Sequence, residues 1–234
     1  MDRQKPVCII PARGGSKRLE KKNIAKICGK PLLGYAIEAA LGSGIFDLVC
    51  VSSDDDEILE VAGHYGADLA IKRSDELSDD KAQVKDVCIY LLKDFLRQGR
   101  DYKEFGLVLA NNPLRRPDDI RAAYDIFKKE DANCVMSLAA YSHPPQTAVY
   151  VENEYIKPFY GIQYMKQAQL LKTLYHHDGL IIIAKTEVFL KEGELYCSGV
   201  VPYFTQPERV LDIDTQTDLE WAEFLMQRQN KHNE

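Results

Sequence analysis

The sequence predicts an α/β protein built on a mostly parallel sheet with helices on both faces. Two observations lead there. Six strand-like runs are apolar almost throughout rather than alternating, as in strands covered on both sides. Amphipathic helical patterns separate the early runs, so strand and helix alternate through about residue 130. That alternation is the signature of right-handed wound units, which bind ligands at the carboxyl ends of their strands.

The elements follow in order. "PVCII" at 6–10 is the first strand. "PLLGYAIEAALGSG" at 31–44 sets Leu32, Leu33, Ala36, Ile37, Ala40 and Leu41 on one helical face, and Gly42 and Gly44 end it. "LVCVSS" at 48–53 is the second strand, and "DDDEILEVAGHYG" at 54–66 opens on acids, which suit a helix N-terminus. Helices at 85–99 and 117–130 flank the strand-like "GLVLA" at 106–110, and Pro117 suits a first helical position. After "CVMSLAA" at 134–140 the alternation fails. Residues 141–177 are rich in aromatics and prolines and have little helical period, so they read as an excursion from the sheet, a β-arm. "LIIIA" at 180–184 and "RVLDI" at 209–213 read as strands again, and 214–229 as a last helix with an Asp or Thr cap. The whole of 1–234 is expected to form a single domain with 141–177 as its elaboration.

Composition narrows the function classes. Apolar residues at 45% suffice for a real core, and a net charge of -6 argues against a nucleic-acid binder. The six cysteines form no C-x-x-C pair, so a zinc knuckle is not expected and the thiols read as free, reduced and structural. No apolar stretch approaches ~18 residues, so no membrane span is expected. The apolar run at the start is too short for a secretion signal, and the expected compartment is the cytoplasm.

Against this acidity, Arg13, Lys17, Arg18, Lys21 and Lys22 crowd together just after the first strand. Such cations repel one another unless an anion is present. Gly14 and Gly15 let the backbone bend and turn N–H groups toward that anion, while Arg13 and Lys17 offer a fork and a point charge to phosphate oxygens. Neither G-x-x-x-x-G-K-[ST] nor G-x-G-x-x-G occurs here, and a solvated basic turn is the plain alternative. Near the other end, "LDIDTQTD" puts Asp212 and Asp214 two apart in a strand-like run, on one face. Paired carboxylates call for a cation, and Mg²⁺ favours one or two carboxylates plus phosphates and water. The alternative is that Asp214 merely caps the following helix.

These stretches carry a resemblance. "IIPARGGSKRLEKKNIAKICGKPLLGYAIEAAL", "FDLVCVSSDDDEILEVAGHYGADLAIKRSDELSDD", "NPLRRPDDI" and "PERVLDIDTQTDLEWAE" resemble, in order and over nearly the whole chain, the acylneuraminate cytidylyltransferases, which make CMP-sialic acid and related CMP-nonulosonates. The resemblance implies a Rossmann-like nucleotide-diphospho-sugar transferase fold. It implies Mg²⁺-dependent transfer of CMP from CTP to the anomeric hydroxyl of a sialic-acid-like nonulosonic acid, with release of pyrophosphate. It also implies a homodimer in which 141–177 is a dimerisation arm that reaches the partner's sugar pocket. By the same resemblance Ala12, Arg13, Gly14, Gly15, Ser16, Lys17 and Asn23 bind the nucleotide, with Arg13, Lys17 and Lys22 as the catalytic cations on the triphosphate. Arg73 and Ala82, with Asp80, fall in the segment around base and ribose, although Arg73 alone also reads as a surface cation. Asp212 and Asp214 hold the metal, and Asp218 serves its helix.

Three departures stand out. Lys81 and Gln83 replace small hydroxylated residues near the base. In "LANNPLR", Leu109 stands for a glutamine and Asn111 and Asn112 for a hydroxyl pair, with Arg115 retained. In "KQAQLLKTLYHHDG" the usual arginines are missing, Lys166 and Lys172 lie nearby, and His176 and His177 sit in the altered turn, where they are anion contacts or exposed turn residues. The expected sugar contacts are therefore Leu109, Asn111, Asn112, Arg115, Lys166 and His176. A related nucleotidyltransferase with a Kdo-like or sugar-phosphate acceptor or another NTP, and a non-catalytic nucleotide-binding protein, remain alternatives. The retained cations and acid pair weigh against the last. No nucleic-acid or membrane partner is expected.

Overall fold

In Val7–Pro11 (β1), Val7, Cys8, Ile9 and Ile10 are all 0% exposed, so this strand lies deep inside a sheet. The computed structural model describes residues 4–79 and 82–232. A short hairpin, Lys26–Ile27 (β2) with Lys30–Pro31 (β3), leads into Leu32–Ser43 (α1). There follow Leu48–Ser53 (β4), Asp56–His64 (α2), Leu69–Lys72 (β5), Val84–Arg97 (α3), Glu104–Leu107 (β6), Pro117–Lys129 (α4) and Cys134–Ala140 (β7). After the arm strands Val149–Glu152 (β8) and Tyr155–Pro158 (β9) come Tyr175–Lys185 (β10), Thr186–Glu192 (α5), Val200–Phe204 (β11) and Gln216–His232 (α6).

The main sheet has seven strands in the order β11-β7-β10-β6-β1-β4-β5. All neighbours run parallel except β10, which is antiparallel to β6 and β7. The period of two along β1 builds two cores. Cys8 and Ile10 pack with apolar residues of α1, α2 and α4, whereas Val7 and Ile9 pack with those of α3 and α5. The sheet is thus covered on both faces, which is why its strands read as unbroken apolar runs. Five of the six cysteines are buried and Cys28 is exposed; all are free. Burial pushes the Cys50 and Cys88 thiols up to about 12, so they behave as small hydrophobes. Among the described residues no helix is long and apolar enough to cross a membrane.

The structure corrects the reading at several places. "RVLDI" is not a strand: one 3-10 turn at Pro207–Arg209 leads into extended chain that joins no sheet. Its backbone is held instead by the loop after β6, described below, and a short apolar run does not by itself reveal that difference. β5, β11 and α5 were not anticipated, because each is short and only partly buried. The excursion does hold a β-hairpin, turned on Asn153 and Glu154 at φ 48° and 66°, a left-handed pair that matches the twist of the flanking strands. Among the described residues it pairs only with itself. Residues 175–177 belong to β10 rather than to the arm, since Tyr175, His176 and His177 pair with Ala140, Ala139 and Leu138. Asp80 and Lys81 lie outside the described residues.

One glycine in the sheet is there for space. A Cβ on Gly106, in β6, would come within 2.5 Å of the Phe46 ring. Gly106→Ala is therefore expected to lower stability by about 1–3 kcal/mol, the usual cost of overpacking a core. Urea unfolding measures it, and an unchanged midpoint would mean that the ring simply moves aside.

Candidate active site

Loops leaving the carboxyl ends of β1, β5 and β6 enclose a cavity of about 660 Å³. From the first loop Arg13, Ser16, Lys17, Arg18, Lys22 and Asn23 line it. Arg73, Ala82, Gln83, Leu109 and Asn111 complete most of the wall, and Asp214 closes it from the C-terminal part of the chain. Leu77, Val84 and Val87 add an apolar side.

The basic loop is shaped by its neighbours. Asn23 Nδ2 donates to the Arg13 carbonyl at 2.8 Å, which ties the two ends of the loop. Gly14 has no left-handed φ; what it needs is room, because a Cβ there would lie 2.8 Å from Asp55 Oδ2. Its N–H donates to Asp54 Oδ1 at 3.0 Å, so it serves the protein rather than standing open to an anion. Ala12 is fully buried in the core and its N–H extends the sheet to the Ser52 carbonyl at 2.9 Å. Gly15 has open space around it. Lys21 pairs with Glu57 and does not line the cavity.

Asp54 was missed in the sequence, where its run of acids reads as a helix start. Asp55 does that work, accepting from the Glu57 and Ile58 N–H groups. Asp54 instead takes the Gly14 N–H and lies 3.6 Å from Arg73 Nη2. Arg73 Nε also donates to Ser78 Oγ at 3.0 Å. Burial pulls the Arg73 pKa down; Asp54 pulls it back up and nearby Arg13 lowers it further. Arg73 is therefore a fixed cavity cation rather than a free surface charge. The signal for Asp54 was its place one residue beyond a strand's carboxyl end.

The acid pair comes from the far end of the chain. Ile213 is fully buried and its N–H donates to the Asn111 carbonyl at 3.0 Å. Asp214 meets Lys22 Nζ at 2.9 Å and Arg18 Nη2 at 2.7 Å. Arg18, which the resemblance does not assign to the nucleotide, thereby joins the site. Asp212 accepts from Asn111 Nδ2 at 2.6 Å. The Asp212 carboxyl group is raised above its ordinary pKa, first by desolvation and then by Asp214, while Lys22, Asn111 and Arg18 offset part of this. Asp218 accepts the Asp214 and Thr215 N–H groups and so caps α6, leaving the Asp214 side chain to the site. Among the described residues no group of three or more His, Cys, Asp or Glu side chains is arranged to hold a metal.

Four expected sugar contacts lie outside the cavity lining. Arg115 is 5% exposed and donates to the carbonyls of Leu180, Leu109 and Gly179, with burial lowering its pKa to about 10. Asn112 is 1% exposed; its Nδ2 donates to the Arg209 carbonyl and its Oδ1 accepts from the Leu114 N–H. Both hold the loop from beneath. Lys166 is exposed on the arm, and His176 is a β10 residue packed against Tyr141. Leu109 and Asn111 do line the cavity.

Cations from the first loop and an acid pair from the last, meeting at the strand ends of a Rossmann-like sheet, define a nucleotidyltransferase. The family model described as cytidylyltransferase matches residues 7–232. A pseudaminic acid cytidylyltransferase from Campylobacter jejuni subsp. jejuni serotype O:2 is 37% identical over 222 residues, covering 94% of this chain and 96% of the relative. An N-acylneuraminate cytidylyltransferase from Streptococcus agalactiae serotype III is 35% identical over 92% of this chain and 51% of its own length. The fold matches the solved structure of a CMP:2-keto-3-deoxy-manno-octonic acid synthetase complexed with CTP, with a TM-score of 0.69 at 19% identity, covering 97% of this chain and 100% of that one. The chain belongs to the cytidylyltransferase family, and within it to the CMP-nonulosonate synthetases.

The acidic run is anchored by a buried ion pair. Asp119, with a side chain 0% exposed, pairs with Arg209 and accepts from the Tyr203 hydroxyl at 2.7 Å and the Arg116 N–H at 2.8 Å. Arg209→Ala leaves that carboxylate buried without its cation. The expected loss of stability is about 3–5 kcal/mol in chemical denaturation. A wild-type unfolding curve would show that the pair contributes nothing.

Proposed function

We propose that the protein transfers CMP from CTP to the anomeric hydroxyl of a sialic-acid-like nonulosonic acid and releases pyrophosphate. The observation that carries this reading is the cation-lined cavity, closed by Asp214 at the carboxyl end of the sheet. Family membership supports it, as do the names of relatives of matching length. In the reaction the sugar hydroxyl oxygen bonds to the α-phosphorus. The bond from that phosphorus to the bridging oxygen breaks, its electron pair leaves with pyrophosphate, and the hydroxyl proton passes to water. Arg13, Lys17 and Lys22 would face the negative charge that grows during displacement, and prepositioned donors stabilise such charge with little reorganisation. Ser16, Asn23, Arg73 and Ala82 would form the rest of the nucleotide site.

Asp212 and Asp214 fit Mg²⁺: two hard oxygen donors set near one another, with Asp212 raised by desolvation and by its neighbour. They would hold the ion together with phosphate and water. When bound, it would act as a Lewis acid on phosphate oxygens. Leu109, which lines the cavity, would border the acceptor beside the triphosphate, in a setting more apolar than a glutamine would make. The expected compartment is the cytoplasm, where nucleoside triphosphates are held.

The arm supports a homodimer. Val151, Tyr155, Ile156, Ile162 and Leu170 are 67–77% exposed, a concentration of apolar surface that usually marks an interface. We place this surface at a two-fold contact, with Lys166 carried toward the partner's cavity.

Pyrophosphate release from each NTP with a panel of nonulosonic and related sugar acids tests the reading. CTP is expected to be preferred, and specificity for another nucleotide would shift the assignment. Arg13→Ala and Asp212→Ala should each lower kcat by about 10²–10³ with the fold intact, and chelation of divalent ions should stop turnover without unfolding. Activity persisting in chelator would remove the metal role from Asp212 and Asp214. Replacing Phe159 and Tyr160 together by charged residues should give monomers that still bind CTP but lose sugar turnover. A fully active wild-type monomer at micromolar concentration, seen by sedimentation, would refute the dimer.

A further inference from the structure

We infer that Asn111 is a positioning residue for Asp212 rather than a contact to the sugar. The inference rests on the metal reading given above. Asn111 Nδ2 donates to one oxygen of Asp212 at 2.6 Å. An amide nitrogen is the only end of the Asn side chain that can face a carboxylate, so this contact also sets which way the amide points. The Asn111 carbonyl accepts the Ile213 N–H at 3.0 Å. One residue therefore holds both a carboxylate and the backbone between the two acids. Asn112 anchors the same run further back, through the Arg209 carbonyl at 3.1 Å.

The other end of the amide is shut away. Asn111 Oδ1 is buried and has no hydrogen-bond partner among the described residues. Gly179, at φ 72°, lies beside them: a Cβ there would meet Leu109 tightly at 3.2 Å and Asn111 Oδ1 in ordinary contact at 3.5 Å. A sugar hydroxyl that needed Asn111 as acceptor would have to reach an atom with no accessible surface. The hydrogen bond to Asp212 instead holds the amide in place. With one oxygen held, the second is left for a cation. This is the role that hydrogen-bonded outer residues play around carboxylate ligands, where their loss weakens metal binding by about 10–100-fold.

Mn²⁺ binding to the protein with CTP, and with no sugar present, tests the assignment by electron paramagnetic resonance. Asn111→Ala should weaken Mn²⁺ binding by about 10-fold or more. At saturating metal its KM for the nonulosonic acid turned over by the wild type should be unchanged. Asn111→Ser, whose hydroxyl is too short to reach Asp212, should behave alike, and thermal unfolding checks that both variants fold. If wild-type protein binds no Mn²⁺ beyond that held by CTP in solution, the metal reading itself fails. If the wild type binds Mn²⁺ and both variants bind it equally well, the positioning role fails while the metal reading stands. A raised KM for the sugar with unchanged Mn²⁺ affinity would make Asn111 a sugar contact. Loss of fold in both variants would make it a purely structural residue and overturn the inference.

Discussion

The site depends on the docking of the 209–214 run onto the loop that follows β6. That run belongs to no strand, so no ladder fixes its register. Side chains do so instead. Asp119 holds the Arg209 guanidinium and Asn112 holds its carbonyl, while the Asn111 carbonyl receives the Ile213 N–H. Ile213, fully buried, pins the chain between the two acids, and of these Asp214 lines the cavity. Only then does Asp214 reach Lys22, 192 residues away in sequence. Without that docking, Lys22 and Arg18 would lose Asp214 as their partner.

The same economy governs the charged residues around the cavity. Lys22 and Arg18 pair with Asp214, and Arg73 is steadied by Asp54 and Ser78. These three cavity cations are thus balanced while remaining at the wall. Arg115 has a different task. It is buried with carbonyl oxygens as its acceptors, and it ties the loop after β6 to the start of the buried part of β10. A buried guanidinium needs fixed acceptors; here Nε and Nη2 find them in the carbonyls of Leu109, Gly179 and Leu180, the last two in the irregular stretch inside β10, while Nη1 has none among the described residues. A motif can therefore persist around an active site because it holds the walls, without touching what they enclose.

The arm follows another logic. Its hairpin has no neighbour in the main sheet, and its apolar residues find few partners on their own domain. A sheet already covered on both faces has no open side to receive them. The surface is thus left exposed, in contrast to α6, which buries Ala222 against Ile27, Leu32 and Ile213.

The amino-acid sequence alone determined the sheet's central strands, the helices that cover it, and the cation loop. These depend on local pattern: unbroken apolar runs, period 3.6, and charges adjacent in the chain. It also marked Asp212 and Asp214 on the expectation of a strand, where the structure has extended chain anchored by Ile213. What the tertiary structure decided is how side chains divide their work. Asn111 and Asn112 are adjacent, yet one lines the cavity and the other lies beneath it. Asp54 and Asp55 are adjacent, yet one caps a helix and the other joins the phosphate-type loop to Arg73. Arg115 and Arg73 look alike in sequence, but one is enclosed by backbone carbonyls and the other faces the cavity. Such distinctions turn on which distant segment packs beside a residue, and no local periodicity records that.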